Sequence, residues 1–161
     1  MFLLRWIRKL IGVILVFLVG LGLGAYLFHD TQPRQIIRLD DCKENCIRDD
    51  ELLGLLASIG VRKTPSVIPD VIKETELTVV MKHPYPESKI HYLVVPKKDI
   101  KDIGDLTEED RKYLVDVFEV ISVIANELKL DKYRILTNGP GYQQVSYLHF
   151  HIVGNDYELP K

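Results

Sequence analysis

The sequence predicts an α+β domain, a mainly antiparallel sheet with one long helix packed on it, preceded by an apolar N-terminal helix. Three observations predict it. No charge occurs in the 19 residues from Leu10 to Phe28; short β-rich runs are joined by turn-rich connections; and one long amphipathic stripe lies between two strand pairs. The 161 residues, 47% hydrophobic and 27% charged, suit one globular domain plus a short extra segment. A formal net charge of -2, with both signs interspersed, excludes the basic footprint of a nucleic-acid binder, so no nucleic-acid partner is expected.

Residues 1–9 form a basic flank with Arg5, Arg8 and Lys9, and residues 10–28 are long enough to cross a bilayer as a helix. The flanking charges favour a cytoplasmic N-terminus and an extracytoplasmic domain on a single-pass membrane anchor. A cleaved signal peptide is the competing reading, since Gly22, Gly24 and Ala25 supply small residues; the length of the apolar run favours the anchor. Residues 29–48, polar and holding Pro33, read as a linker, with the domain at 49–161. Cys42 and Cys46 fall in that linker. Their i, i+4 spacing permits oxidation to a pair in an exported domain, and free thiols are the equal alternative.

Asp49 or Asp50 caps a short helix carrying Leu52, Leu53, Leu55, Leu56 and Ile59, with Gly60 as its stop. The prolines of 64–69 mark a loop. Leu77 to Lys82 and His91 to Val95 are strand candidates, separated by HPYPESKI, whose prolines forbid a continuous strand. Thr107 and Asp110 give a capped start to the long helix, where Leu114, Val117, Phe118, Ile121, Ile124, Ala125 and Leu128 recur at helical spacing. Tyr133 to Thr137 and Leu148 to Val153 complete the strands, the last ended by Gly154.

Alternation along YLHFHIVG places Tyr147, His149 and His151 on one face and Leu148, Phe150 and Ile152 on the other. Same-face neighbours lie roughly 6 to 7 Å apart, which lets two imidazoles address one phosphate group. An H-x-H pair alone does not separate a site from an incidental pair. The loop Asn138, Gly139, Pro140, Gly141, Tyr142, Gln143, Gln144, just upstream, offers backbone N–H groups and amides that suit phosphate oxygens, although NGPG by itself is an ordinary turn.

From Leu77 to Gly154 the chain resembles the histidine-triad (HIT) superfamily. YQQVSYLHFHIV stands where that family has a GQSV-like stretch running into His-φ-His-φ-His-φ-φ, with Gln143 and Val145 matching and Tyr147 in place of the first histidine. HPYPESKIHYLVVPKKDI resembles its second hallmark, and His83 sits near the family's upstream catalytic histidine. The resemblance implies a nucleotide hydrolase or nucleotidyl transferase, commonly homodimeric, in which His149 attacks the α-phosphorus to give a nucleotidyl-histidine. It further implies catalytic roles for His151, Asn138 and His83, and substrate contacts from Gly139, Gly141, Gln143, Gln144, Ser146 and Tyr147. The long helix is expected to contribute to a homodimer interface. His91 reads as a structural strand residue.

Some family members bind structural zinc through a CxxC and two histidines. The CxxxC spacing of Cys42 and Cys46, with Tyr147 in place of a histidine, leaves that tetrahedral site without its parts, so no metal and no cofactor are expected. Tyr147 can hydrogen-bond but not become a cation near neutrality. It therefore leaves open a nucleotide-binding module with weak or no turnover. A weaker alternative is a metal-binding exported domain using His83, His149 and His151.

Overall fold

A computed structural model describes residues 2–38, 42 and 46–154. Parts of the expected linker, and of the expected domain end at 155–161, lie outside the described residues. The chain divides into two compact units, Met1–Thr31 and Gln32–Lys161. The first holds helix α1, Phe2–Phe28, whose stretch Arg5–Phe28 reaches a mean hydropathy of 2.6 over 18 residues and is long and apolar enough to span a membrane.

The second unit is α+β, as the sequence predicts. Helix α2 (Asp49–Lys63) leads to strands β1 (Val71–Glu74), β2 (Thr78–Lys82) and β3 (Ile90–Pro96). Helix α3 (Arg111–Glu127) follows, then β4 (Tyr133–Leu136) and β5 (Phe150–Gly154). The five-stranded sheet has the order β1-β2-β3-β5-β4, and every neighbouring pair is antiparallel. The hairpins β1-β2 and β2-β3 are sequential, whereas β5 inserts between β3 and β4. That insertion sets His151 opposite Leu93 on one side and Leu136 on the other.

Each face of the sheet has its own cover. Helix α3 closes one face through Val117, Val120, Ile121 and Ile124, packed with Val80, Val94, Leu148, Phe150 and Ile152. Burying each such aliphatic side chain contributes about 1.5–3 kcal/mol, which makes this the main source of the domain's stability. The expected start of that helix is present: the Asp110 carboxylate accepts from the Thr107 amide at 2.8 Å and from its hydroxyl at 2.7 Å. On the opposite face, Val61 of α2 packs with Val79, Val95 and Tyr147, with Ala57, Leu93 and Met81 alongside. This second cover reaches only the β2 side of the face. The part over β5, β4 and the start of β3 stays open, and the histidines lie there.

Three elements depart from the expectation. Helix α2 runs past Gly60 to Lys63 because Gly60 is an interior helical position beneath Ile68, and the Gly60 carbonyl accepts from the Thr64 amide at 3.0 Å. Strand β1 was not foreseen: VIKE is short and half charged, and it pairs along an edge where only alternate residues face inward. The stretch after α1 is not a free linker. Gln32 belongs to the compact domain, and the Arg34 side chain is 2% exposed, paired with Asp99 and Glu51. Cys42 and Cys46 are joined as a disulfide; just outside them Ile37 and Ile47 form an antiparallel bridge, so a hairpin, not a helical turn, brings the flanks together.

Candidate active site

The open half of the sheet forms the floor of a cavity of about 860 Å³. His149 and His151 reach it from the β5 segment, His91 and Leu93 from β3, Arg134 and Leu136 from β4, His83 and Tyr85 from the β2-β3 connection, and Asn138, Tyr142 and Gln144 from the glycine loop. The alternation read along the last strand is the physical reason. Leu148, Phe150 and Ile152 go under α3, which leaves the intervening histidines on the face that α2 does not reach.

Hydrogen-bond partners assign the ring protons. A backbone carbonyl can only accept, so the 2.7 Å contact between His149 Nδ1 and the Tyr147 carbonyl requires the proton on Nδ1. His149 Nε2 therefore carries a lone pair. His91 shows the reverse: its Nδ1 accepts from the Glu87 amide at 3.1 Å, so its Nε2–H donates to His151 Nδ1 at 2.9 Å. His151 accepts at Nδ1 and must hold its own proton on Nε2. That atom is buried and has no hydrogen-bond partner. A ring N–H donor thus sits beside an unprotonated ring nitrogen, with the His149 and His151 ring centroids 4.9 Å apart.

The electrostatics agree with neutral rings. Burial pushes His151 down to about 3, with repulsion from His149, His91 and His83 adding to it. Burial also lowers His149, against the hydrogen bond to the Tyr147 carbonyl, and lowers His91, with His83 contributing. His83 stacks on His91 at 4.0 Å between centroids, and its Nδ1 accepts from the Tyr85 amide at 3.0 Å.

Potential ligand nitrogens of His83, His91 and His151 all lie within 4.8 Å of one another, close enough to gather round a cation. The hydrogen bonds argue against that use. A metal-bound histidine donates its other N–H to an acceptor. Here Nδ1 of both His83 and His91 accepts from a backbone amide, so each Nε2 is a donor. Ligation would strip two amides of their acceptors. The cluster presents ring N–H donors, not lone pairs, at the Nε2 atoms of His83 and His151.

Other expected contacts fall elsewhere. Tyr147 is 1% exposed in the second core cluster, and its hydroxyl lies 2.8 Å from the Pro96 carbonyl and 3.0 Å from that of Lys98. Burial, with Asp99 adding, pushes its phenol well above its ordinary value, so the side chain stays a neutral structural donor and not a substrate contact. The reason is that α2 covers the part of the face where Tyr147 points. Ser146 is likewise buried, its amide donating to the Asp50 carbonyl at 2.9 Å. Gln143 turns away, donating to the Lys101 carbonyl at 3.1 Å. Gly139 and Gly141 do not line the cavity, and the amides of Tyr142 and Gln143 are spent on the Gly139 carbonyl, both at 3.1 Å. The loop reaches the cavity through the side chains of Asn138, Tyr142 and Gln144, while these two amides stay within the turn that Gly141, at φ 87, makes possible.

The sequence reading did not include His91, Arg134, Tyr85 or Tyr142 among site residues. The signal for His91 was available: it lies opposite Val153 in the β3-β5 register and two positions before Leu93, which pairs with His151.

With this geometry in hand, comparison with known proteins fixes the class. Residues 59–161 match the family described as scavenger mRNA decapping enzyme C-term binding, and the chain belongs to that family, within the histidine-triad superfamily. An uncharacterized HIT-like protein of Chlamydia muridarum is 31% identical over 88 residues, covering 53% of this chain and 70% of that protein. Aprataxin of Ciona intestinalis is 33% identical over 91 residues, 55% of this chain but 24% of that protein. Among solved structures, a HIT family hydrolase from Clostridium thermocellum superposes with a TM-score of 0.57 at 25% identity, covering 64% of this chain and 94% of that one. A histidine triad protein from Clostridium difficile gives 0.56 at 28% identity, covering 64% and 93%. The chain has the fold of a hydrolase or transferase of this superfamily.

Proposed function

We propose that the chain hydrolyses or transfers nucleotide conjugates, such as phosphoramidates or dinucleoside polyphosphates, through a nucleotidyl-histidine formed on His149. The observation that carries this reading is the tautomer of His149, whose Nδ1–H is held by the Tyr147 carbonyl so that Nε2 presents a lone pair to the cavity. In the first step that lone pair forms a bond to the α-phosphorus as the bond to the leaving group breaks. The leaving group takes the electron pair and a proton from solvent. The ring becomes positive, and the Tyr147 carbonyl stabilises it through Nδ1–H. The unpartnered Nε2–H of His151 donates to a phosphoryl oxygen, where charge develops. Water then attacks the phosphorus and gives up a proton to solvent as the N–P bond breaks, and the electron pair of that bond returns to Nε2.

Replacement of the first triad histidine by Tyr147 does not count against turnover. The group that positions His149 is the backbone carbonyl of residue 147, which any side chain leaves in place. The reading as a binding module without turnover loses its main support.

The same proposal takes α1 as a single-pass membrane anchor with the domain extracytoplasmic, a placement that suits the Cys42–Cys46 disulfide. It takes the chain as a homodimer, for which the half-exposed Val115 and Phe118 of α3 supply apolar surface. No nucleic-acid partner is part of it.

The test is to expose the full-length chain in detergent to a panel of nucleotide conjugates, quench, and map adducts by mass spectrometry. A nucleotidyl group on His149 is expected; an adduct confined to another residue, or none with any conjugate, would overturn the reading. The pH dependence is a second check. Protonation of His149 removes the lone pair, and burial lowers its proton affinity, so kcat should hold as pH falls through about 6.5, where an ordinary imidazole is half protonated. Stability has the same sign. The folded state keeps these rings neutral while the unfolded chain takes up protons, so stability is complete above about 6.5 and falls as pH drops toward the His151 value of about 3. A half-maximal kcat at pH 6.5 or above would contradict the arrangement.

A further inference from the structure

We propose that Arg34, which follows closely on the N-terminal unit, is a positioning residue for the nucleophile: it fixes the backbone whose carbonyl sets the tautomer of His149. The inference rests on the proposed chemistry at His149 and adds a residue outside the matched family region, residues 59–161.

The Arg34 guanidinium, 2% exposed, sits between the Asp99 carboxylate, 0% exposed, and Glu51, 6% exposed, and donates through Nη1 to the Ser146 carbonyl. Asp99 is held in turn, its Oδ2 accepting from the Gln32 amide at 2.8 Å. Lys101 and Arg48 lie at 3.6 Å from Glu51, so the pair of carboxylates is matched by several cations. A guanidinium this enclosed cannot be removed without leaving carboxylates buried and uncompensated.

The consequence runs along the backbone. Ser146 is fastened at both polar ends, its amide to Asp50 and its carbonyl to Arg34. One residue on, the Tyr147 hydroxyl is fastened to the Pro96 and Lys98 carbonyls. The Tyr147 carbonyl belongs to the next peptide along, whose Leu148 amide donates to the Ile100 carbonyl at 2.6 Å, and it is the acceptor for His149 Nδ1–H. Releasing Arg34 frees the Ser146–Tyr147 peptide, so the Tyr147 carbonyl is held only from its Leu148 side. The carbonyl can then swing, and His149 loses the bond that keeps its Nε2 unprotonated. Misplacing a reacting group by about 1 Å costs on the order of 10²-fold in rate.

The experiment compares full-length wild type with Arg34→Met, Arg34→Lys and Asp99→Asn. A control, Val117→Ala in the α3 core, loses stability away from this network. Each is assayed for steady-state kinetics with the conjugate that labels wild type, and for the His149 tautomer by ¹⁵N NMR of histidine-labelled protein. Arg34→Met is expected to lower kcat at least tenfold with KM within twofold, and to convert His149 from one tautomer to a mixture. Arg34→Lys should recover part of kcat. Asp99→Asn, which weakens the grip on Arg34, should fall between. Val117→Ala should keep the wild-type tautomer and kcat. If Arg34→Met does not fold, the Lys and Asn variants decide. A wild-type tautomer and kcat in every folded variant would overturn the positioning role, as would the same loss in Val117→Ala. A wild type that labels no histidine would instead sink the chemical reading, and the tautomer measurement would still decide whether Arg34 sets the ring.

Discussion

His149→Ala is expected to cut turnover of an adenosine phosphoramidate by about 10⁶-fold, the scale seen when a covalent nucleophile is removed and binding groups remain. The structure isolates the effect. His149 hydrogen-bonds to the adjacent Tyr147 carbonyl and belongs to neither core cluster. Truncation removes the lone pair while leaving the sheet, the His91–His151 bond and the cavity wall in place. The thermal midpoint should move by no more than about 4 °C, corresponding to about 1 kcal/mol in a domain of this size. Product formation followed by chromatography and a thermal melt on the same sample check both parts. Retention of more than a tenth of wild-type kcat would refute the assignment.

Gly54→Ala should destabilise the domain by about 3 kcal/mol, the upper part of the range for forcing atoms into a packed interior. Its sign separates tertiary from local control. Gly54 lies inside α2, where alanine is favoured over glycine by about 1 kcal/mol on helix propensity alone. A Cβ built there falls 2.4 Å from Arg34 Nη1 and 2.4 Å from the Ser146 carbonyl oxygen. Neither neighbour can yield cheaply. The guanidinium is held by two carboxylates, and Ser146 is held by Asp50. Calorimetry of the full-length protein should show the domain transition lowered by about 12 °C. A midpoint equal to or above wild type would mean that propensity wins and that the Arg34 contacts are soft.

Much of the fold was legible because it is written in periodicity. The α3 stripe and the alternation through LHFHIV place Val117, Ile121, Ile124, Phe150 and Ile152 in one layer without any knowledge of partners. The facing of His149 and His151 followed from the same alternation. Tyr147 shares their parity yet ends in the core, because which half of a sheet face is covered depends on where α2 docks, a long-range fact with no local signal. Strand β1 escaped for a related reason: VIKE becomes a strand by pairing with Val79, Val80 and Met81, and its charges suit an edge. The glycine loop was legible as a turn, but the destinations of its amides were not. Those of Tyr142 and Gln143 close on Gly139, and the imidazole protons in the cavity are assigned only once Glu87, Tyr85 and Tyr147 are in place. Arg34 was hidden by sequence distance, being 112 residues from the carbonyl it holds.

The docking of Gln32 and Arg34 also dictates where the protein can be cut. A soluble version begun at Asp49, where the helical pattern starts, would strand Asp99 and Glu51 as anions in the interior and invite misfolding during expression. Trimming ahead of Gln32 keeps their cation and discards only the apolar leader.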